Sequence, residues 1–326
     1  MTTLPSQGLH VGAVQDAVAR ILADPEPFAL LVGQEVVLRE RFGLTDGQVA
    51  ALAAVSPAAM ERFRRVLRLK RLSLADSLLP VTAGVLRWGR SSASLAADFW
   101  RAIPPVAAGA AIEEFRERIV RDLLGYVTGL DPAQRPDWLP DLARYEAMRT
   151  LLRCRQPAGW EYLPVPAGEL ADDAVLDEAL VCLAPGVVLD SFGYDVMTLL
   201  PALASAGNAA DSVPAPCSCH VVAWRRPGGP VQAWRLGSLA FEALALCGTA
   251  MRVRDIAAAV GAPPSARVAS AQAPSPQVSE GTVAVIRHAL AVGIIGVKGI
   301  TRAAGVTNVT GITDVTDEVA ARGRPR

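Results

Sequence analysis

A chain of 326 residues is long enough for two domains with separate cores, and at 51% apolar it is expected to fold rather than to stay disordered. Its 32 Lys and Arg balance 32 Asp and Glu, which removes the electrostatic footprint of a dedicated DNA- or RNA-binding protein. The opening residues MTTLPSQGLH lack the basic and apolar regions of a signal peptide, and no apolar run is long enough to span a bilayer. A cytoplasmic location follows as the expectation, with no membrane and no nucleic acid as partner.

The first half, residues 1–157, reads as an all-helical domain. Residues 9–23 carry Val11, Val14, Val18, Ile21 and Leu22 on one side, and Asp24-Pro25-Glu26-Pro27 stops that helix because proline cannot continue the ladder. A second helix runs from about Phe28 to Phe42 and ends at Gly43. Thr45 caps a short helix through Val55, and Ser56-Pro57 starts another that carries Met60, Phe63, Val66 and Leu67. Ile112, Phe115, Ile119, Leu123 and Val127 recur at steps of three and four, the clearest amphipathic helix in the chain. Asp137-Trp138-Leu139-Pro140 opens a further helix containing Leu142, Tyr145, Glu146 and Leu152, and Gln156-Pro157-Ala158-Gly159 reads as a domain boundary.

Residues 158–297 change character. Val187-Val188-Leu189 looks like a strand, followed by a short helix over 195–204 and a small-residue loop from Ala206 to Pro216. His220 to Trp224 and Val231 to Leu236 form two strands around Pro227-Gly228-Gly229-Pro230, a hairpin signal. Three helices are expected next, over about 238–247, 252–260 and 279–292, with the Pro-, Ala- and Ser-rich Ala262 to Gln277 as a mobile connection between the last two. The fold class expected is therefore α+β: an N-terminal all-helical domain, then a small sheet-plus-helices domain with a winged-helix-like inventory. Residues 298–326 form a low-complexity tail. Within 293–316 a six-residue period, GIIGVK, GITRAA, GVTNVT, GITDVT, is read as disorder or one extra strand, with a docking segment as the alternative.

Catalytic patterns are missing from the sequence: there is no G-x-S-x-G, P-loop, H-E-x-x-H or G-x-G-x-x-G. Three scattered histidines make a His-based triad improbable. Five cysteines, an odd number, argue against a disulfide framework. Cys217-Ser218-Cys219-His220 has metal-ligand residue types but no second half, and one strand entering the core is the simpler reading. Asp172, Asp173, Asp177 and Glu178 read as the solvated face of a helix rather than a cation site. Glu146, set among apolar helix positions, is expected to bond an arginine or a backbone group rather than to act in catalysis.

Several segments together carry a resemblance. They are K-R-x-x-x-x-x-S-L-L-P (Lys70 to Pro80), Phe99-Trp100, Pro104-Pro105, Phe115, and W-L-P-D-L-A-R-Y-E (Trp138 to Glu146). In the second half they are L-A-P-G-V-V-L-D-S-F-G-Y-D-V (Leu183 to Val196), H-V-V-A-W-R-R (His220 to Arg226), Trp234-Arg235-Leu236, A-L-C-G-T (Ala245 to Thr249) and Ile256-Ala257. In this order and spacing the chain, over roughly residues 60–260, resembles partner proteins of multinuclear non-heme iron-dependent oxidative enzymes, the family with members in methanobactin and thiaglutamate biosynthesis.

The resemblance implies a non-catalytic subunit of a heterodimer. The iron sits in the partner enzyme and no cofactor in this chain. The enzyme modifies a ribosomally made precursor peptide, whose leader this chain helps to hold as an added strand beside a helix. The candidate peptide-binding residues are then Val231, Gln232, Ala233, Trp234, Arg235 and Leu236 on the strand edge, with Val283, Ile286, Arg287 and Leu290 on the facing helix. For each of these a plain core role is the alternative. The rival function is a winged-helix DNA-binding transcription regulator, whose recognition helix would carry only Arg287 and His288.

Overall fold

Side chains of Thr45, Ser56 and Ser91 cap three of the helix starts in the first half. In the computed structural model, which describes residues 17–18, 21, 35–88, 90–102, 112–155, 173–206, 214–226, 228–260 and 276–297, helix α1 (Glu35–Phe42) is followed by Gly43 at φ +60°. Thr45 then opens α2 (Asp46–Ala53) with a reciprocal pair: its hydroxyl accepts from the Gln48 N–H at 3.3 Å, and the Thr45 N–H donates to Gln48 Oε1 at 2.8 Å. Ser56 accepts from the Ala59 N–H at 3.2 Å and starts α3 (Pro57–Leu78) with proline in its first turn. Pro80 breaks that helix and begins α4 (Pro80–Leu86). Helices α5 (Ser92–Ala102), α6 (Ile112–Gly129) and α7 (Leu139–Cys154) complete the described helical half.

The buried face of α3 differs from the expected stripe. Met60 is buried, but Phe63 is 49% and Val66 47% exposed, while Arg64 and Arg71 lie on the inner side. The inner face closes over charge because the charge is paired. Arg71 meets Asp122 of α6 at 2.7 Å and lies over the Phe99 ring at 5.1 Å. On α6, Ile119, Leu123 and Val127 are buried as expected, whereas Phe115 is 38% exposed.

The second half contains α8 (Asp173–Glu178), β1 (Leu180–Leu183), β2 (Val188–Phe192), α9 (Val196–Ala206), β3 (Cys219–Arg225) and β4 (Val231–Leu236). After these come α10 (Ser238–Leu246), β5 (Met251–Arg252), α11 (Val253–Ala259), α12 (Pro276–Ala291) and β6 (Ile295–Val297). Two antiparallel sheets result, in the orders β2-β3-β4 and β5-β1-β6. The α+β class with an N-terminal helical region is as expected. Strand β4 has the expected bounds. Strand β2 runs on to Phe192, and α12 starts three residues before Ser279. The second sheet was not expected, apart from the extra strand allowed for in the first tail repeat, which is β6. Helical residues 17, 18 and 21 fall within the predicted first helix. The rest of that helix, the boundary at Gln156 to Gly159, residues 262–275 and the tail from Lys298 lie outside the described residues.

Strand pleating lets sheet β2-β3-β4 serve two cores. Register pairs Val188, Ala223 and Ala233 across one face, and Leu189, Val222 and Trp234 across the other. The first face, with Phe192, Cys219 and Val221, packs into the helical core beside Leu142 and Tyr145. The second, with Val222 and Trp224, packs with Leu244, Ile256, Ile286 and Leu290 of the three C-terminal helices. The sheet is fastened to α7 by polar contacts as well. Arg144 pairs with Asp190, Asp141 accepts from the Gly193 N–H at 2.6 Å, and Arg225 donates to the Arg153 carbonyl at 2.6 Å.

Candidate functional site

An antiparallel strand satisfies only alternate backbone groups on each side, so a strand with one neighbour leaves a row of N–H and C=O groups facing outward. Strand β4 is such a strand: it pairs with β3 from His220↔Leu236 to Arg225↔Val231 and ends its sheet. Among the described residues nothing hydrogen-bonds to its outer edge. The turn that sets its register is held by Gly228 at φ +72° and by Arg225 Nε, which donates to the Gly229 carbonyl at 3.0 Å.

On the second face of the sheet, the Trp234 ring stands edge-on to Trp224, with centroids 4.7 Å apart. His288 of α12 stacks over the same ring at 5.5 Å and 28°. Helix α12 therefore meets the end strand through one aromatic contact, with Trp234 half-buried and His288 exposed. On the opposite face Arg235 pairs with Asp195, the residue that opens α9. Burial works to raise the Asp195 carboxyl, and hydrogen bonds from Thr198 and Arg235 outweigh it, leaving the pKa below the usual range.

The sequence candidates separate into three groups. Gln232 and Arg235 are exposed on β4, and Val231, Ala233, Trp234 and Leu236 are half-buried there. Val283 is half-buried and Arg287 exposed on α12. Ile286 and Leu290, at 0% and 1% exposure, are core side chains that hold α12 in place and do not line a groove. His288 was not among the candidates, although it adjoins Arg287. The apolar stripe through Ile286 and Leu290 points to the core side of α12, and a polar residue on its flank gives no apolar signal.

The cysteine-histidine cluster is taken apart by the pleat. Cys219 faces the helical core, whereas its neighbour His220 points to the other face, stacked on Phe241 at 4.5 Å and bonded through Nδ1 to the Ser191 hydroxyl at 2.7 Å. Among the described residues no group of three or more His, Cys, Asp or Glu could hold a metal ion. Burial pushes the Cys219 thiol up, and that of Cys247 up to about 12, while Cys217 is exposed. Alkylation of the native protein is therefore expected to label Cys217 first and to reach Cys219 and Cys247 only on unfolding, which a mass-spectrometric time course reads directly. Glu146 bonds backbone: it accepts from the N–H of Val81 at 3.0 Å and of Thr82 at 2.8 Å. No helix among the described residues is long and apolar enough to cross a membrane.

No protein-family model matches the chain, and no curated protein matches it significantly.

Proposed function

We propose that this chain is the partner subunit of a multinuclear non-heme iron-dependent enzyme, and that it binds the leader of a ribosomally made precursor peptide along β4. The observation that carries the reading is the pairing of an open end strand with a helix that touches it, Trp234 of β4 under His288 of α12. A leader lying beside β4 gains main-chain hydrogen bonds from the strand and side-chain contacts from the aromatic pair. The sheet behind it is braced by two cores, so little ordering is needed on binding. The iron and the oxidative chemistry belong to the enzyme, and the chain acts in the cytoplasm.

Co-expression of the precursor with the iron enzyme, with and without this chain, tests the proposal. Modification is expected only when the chain is present. Full modification without it would sink the idea.

A further inference from the structure

The outward face of α3 presents a ridge that nothing among the described residues covers. Phe63, Val66 and Leu69 follow one another at three-residue steps, at 49%, 47% and 38% exposure. Large apolar side chains at this spacing on a solvent face mark a contact surface more often than chance exposure does. Leu69 ends the ridge at a groove between α3 and α5, lined also by Ala93 and Ala96, by Arg65 and Arg68, and by Glu61.

The charge around the ridge is one-sided. Residues 62–71 carry Arg62, Arg64, Arg65, Arg68, Lys70 and Arg71, and Glu61 is the one nearby acid on this stretch of the helix. Arg64 and Arg68 share that single carboxylate at 3.6 Å and 3.4 Å, and the buried Nε of each has no acceptor among the described residues. Arg71 is taken up by Asp122. Among the described residues no carboxylate pairs with Arg62, Arg65 or Lys70. In a chain of zero net charge this is a local cationic excess, carried to the surface by the exposed Arg62, Arg65 and Lys70.

We infer that this face of α3 is a docking surface for an acidic protein partner, one with an apolar recess for Phe63, Val66 and Leu69 rimmed by carboxylates for Arg62, Arg65, Arg68 and Lys70. The partner's identity rests on the proposed function, under which it is the iron enzyme. A nucleic acid would use the cations and leave the ridge in water. A bilayer would have no use for a shaped groove beside the ridge.

The test is titration of the full-length protein into the iron enzyme that the proposed function pairs it with, at about 0.1 M and about 1 M salt. Wild type is expected to bind, more weakly at high salt. A Phe63→Glu, Arg65→Glu variant is expected to lose about 30-fold in affinity, the scale of a hot-spot residue. Both positions are exposed, so the variant should keep the wild-type melting curve. A photo-crosslinker at Val66 should trap the enzyme through an acidic segment. Unchanged affinity in the variant, with crosslinks mapping elsewhere, overturns the surface while the heterodimer stands. No complex with wild type overturns both. Binding of a DNA duplex or of phosphatidylserine vesicles by wild type, lost in the variant, would assign the face to that ligand and overturn the protein partner.

Discussion

Replacing Glu146 by Leu is expected to destabilise the helical half by about 2–4 kcal/mol, because the buried N–H of Thr82 and the half-buried N–H of Val81 lose their acceptor and each orphan costs about 1–3 kcal/mol. The reason lies in the break between α3 and α4. Pro80 disfavours a helical conformation at Leu79, whose backbone sits at φ −131°, ψ 65°. One helix end and one helix start are thereby left inside the core. Helix α7 answers both with residues one turn apart: Glu146 accepts from the first amides of α4, Val81 and Thr82, and the Thr150 hydroxyl donates to the Leu78 carbonyl at 2.9 Å. The carboxylate also sits at the positive end of α4. Glu146→Gln keeps one acceptor oxygen and should cost about 1–2 kcal/mol. Denaturant unfolding followed by tryptophan fluorescence separates the two variants. A loss of under about 0.5 kcal/mol for the leucine variant, the level of an ordinary surface change, would show that the amides find other partners.

Trp234→Ala is expected to act on both stability and peptide binding. Truncating this half-buried ring removes its contacts with Trp224 and His288 and should cost about 2–3 kcal/mol, below the range for a fully buried tryptophan. On the proposed function it also removes the floor against which a leader side chain rests, so leader affinity should fall at least about 30-fold. His288→Ala is the control that separates the effects. His288 is exposed, so its loss should change stability by under about 0.5 kcal/mol yet weaken leader binding several-fold. Fluorescence anisotropy with a labelled leader, beside melting curves, reads both quantities. Equal leader affinity in His288→Ala and wild type would remove α12 from the site.

Strand β4 was legible because its signals are local: the turn signal Pro227-Gly228-Gly229-Pro230 precedes Val231 to Leu236 and Gly237 follows it. The caps at Thr45 and Ser56 were legible for the same reason. Glu146 was readable in kind, as a buried carboxylate that must be bonded, though its two backbone partners lie 64 and 65 residues away. Three features were not readable. The inner face of α3 passes through Arg64 and Arg71, so an apolar stripe misplaces Phe63 and Val66, and only the distant Asp122 makes the true phase affordable. Strands β1 and β5 are four and two residues long and are defined by partners far along the chain, such as Val181↔Met251. In α12 the apolar positions Ile286 and Leu290 attracted the assignment, while the contact with β4 is made by His288, a polar residue on the flank.

Hydrogen exchange across Val231 to Leu236, with and without the precursor peptide, tests the binding proposal most directly. Added-strand binding predicts that the outward-facing amides of β4, alternate residues in that run, slow markedly on adding the leader and regain their exchange when Trp234 is truncated. Unchanged exchange throughout β4 under conditions where the leader is bound would contradict it.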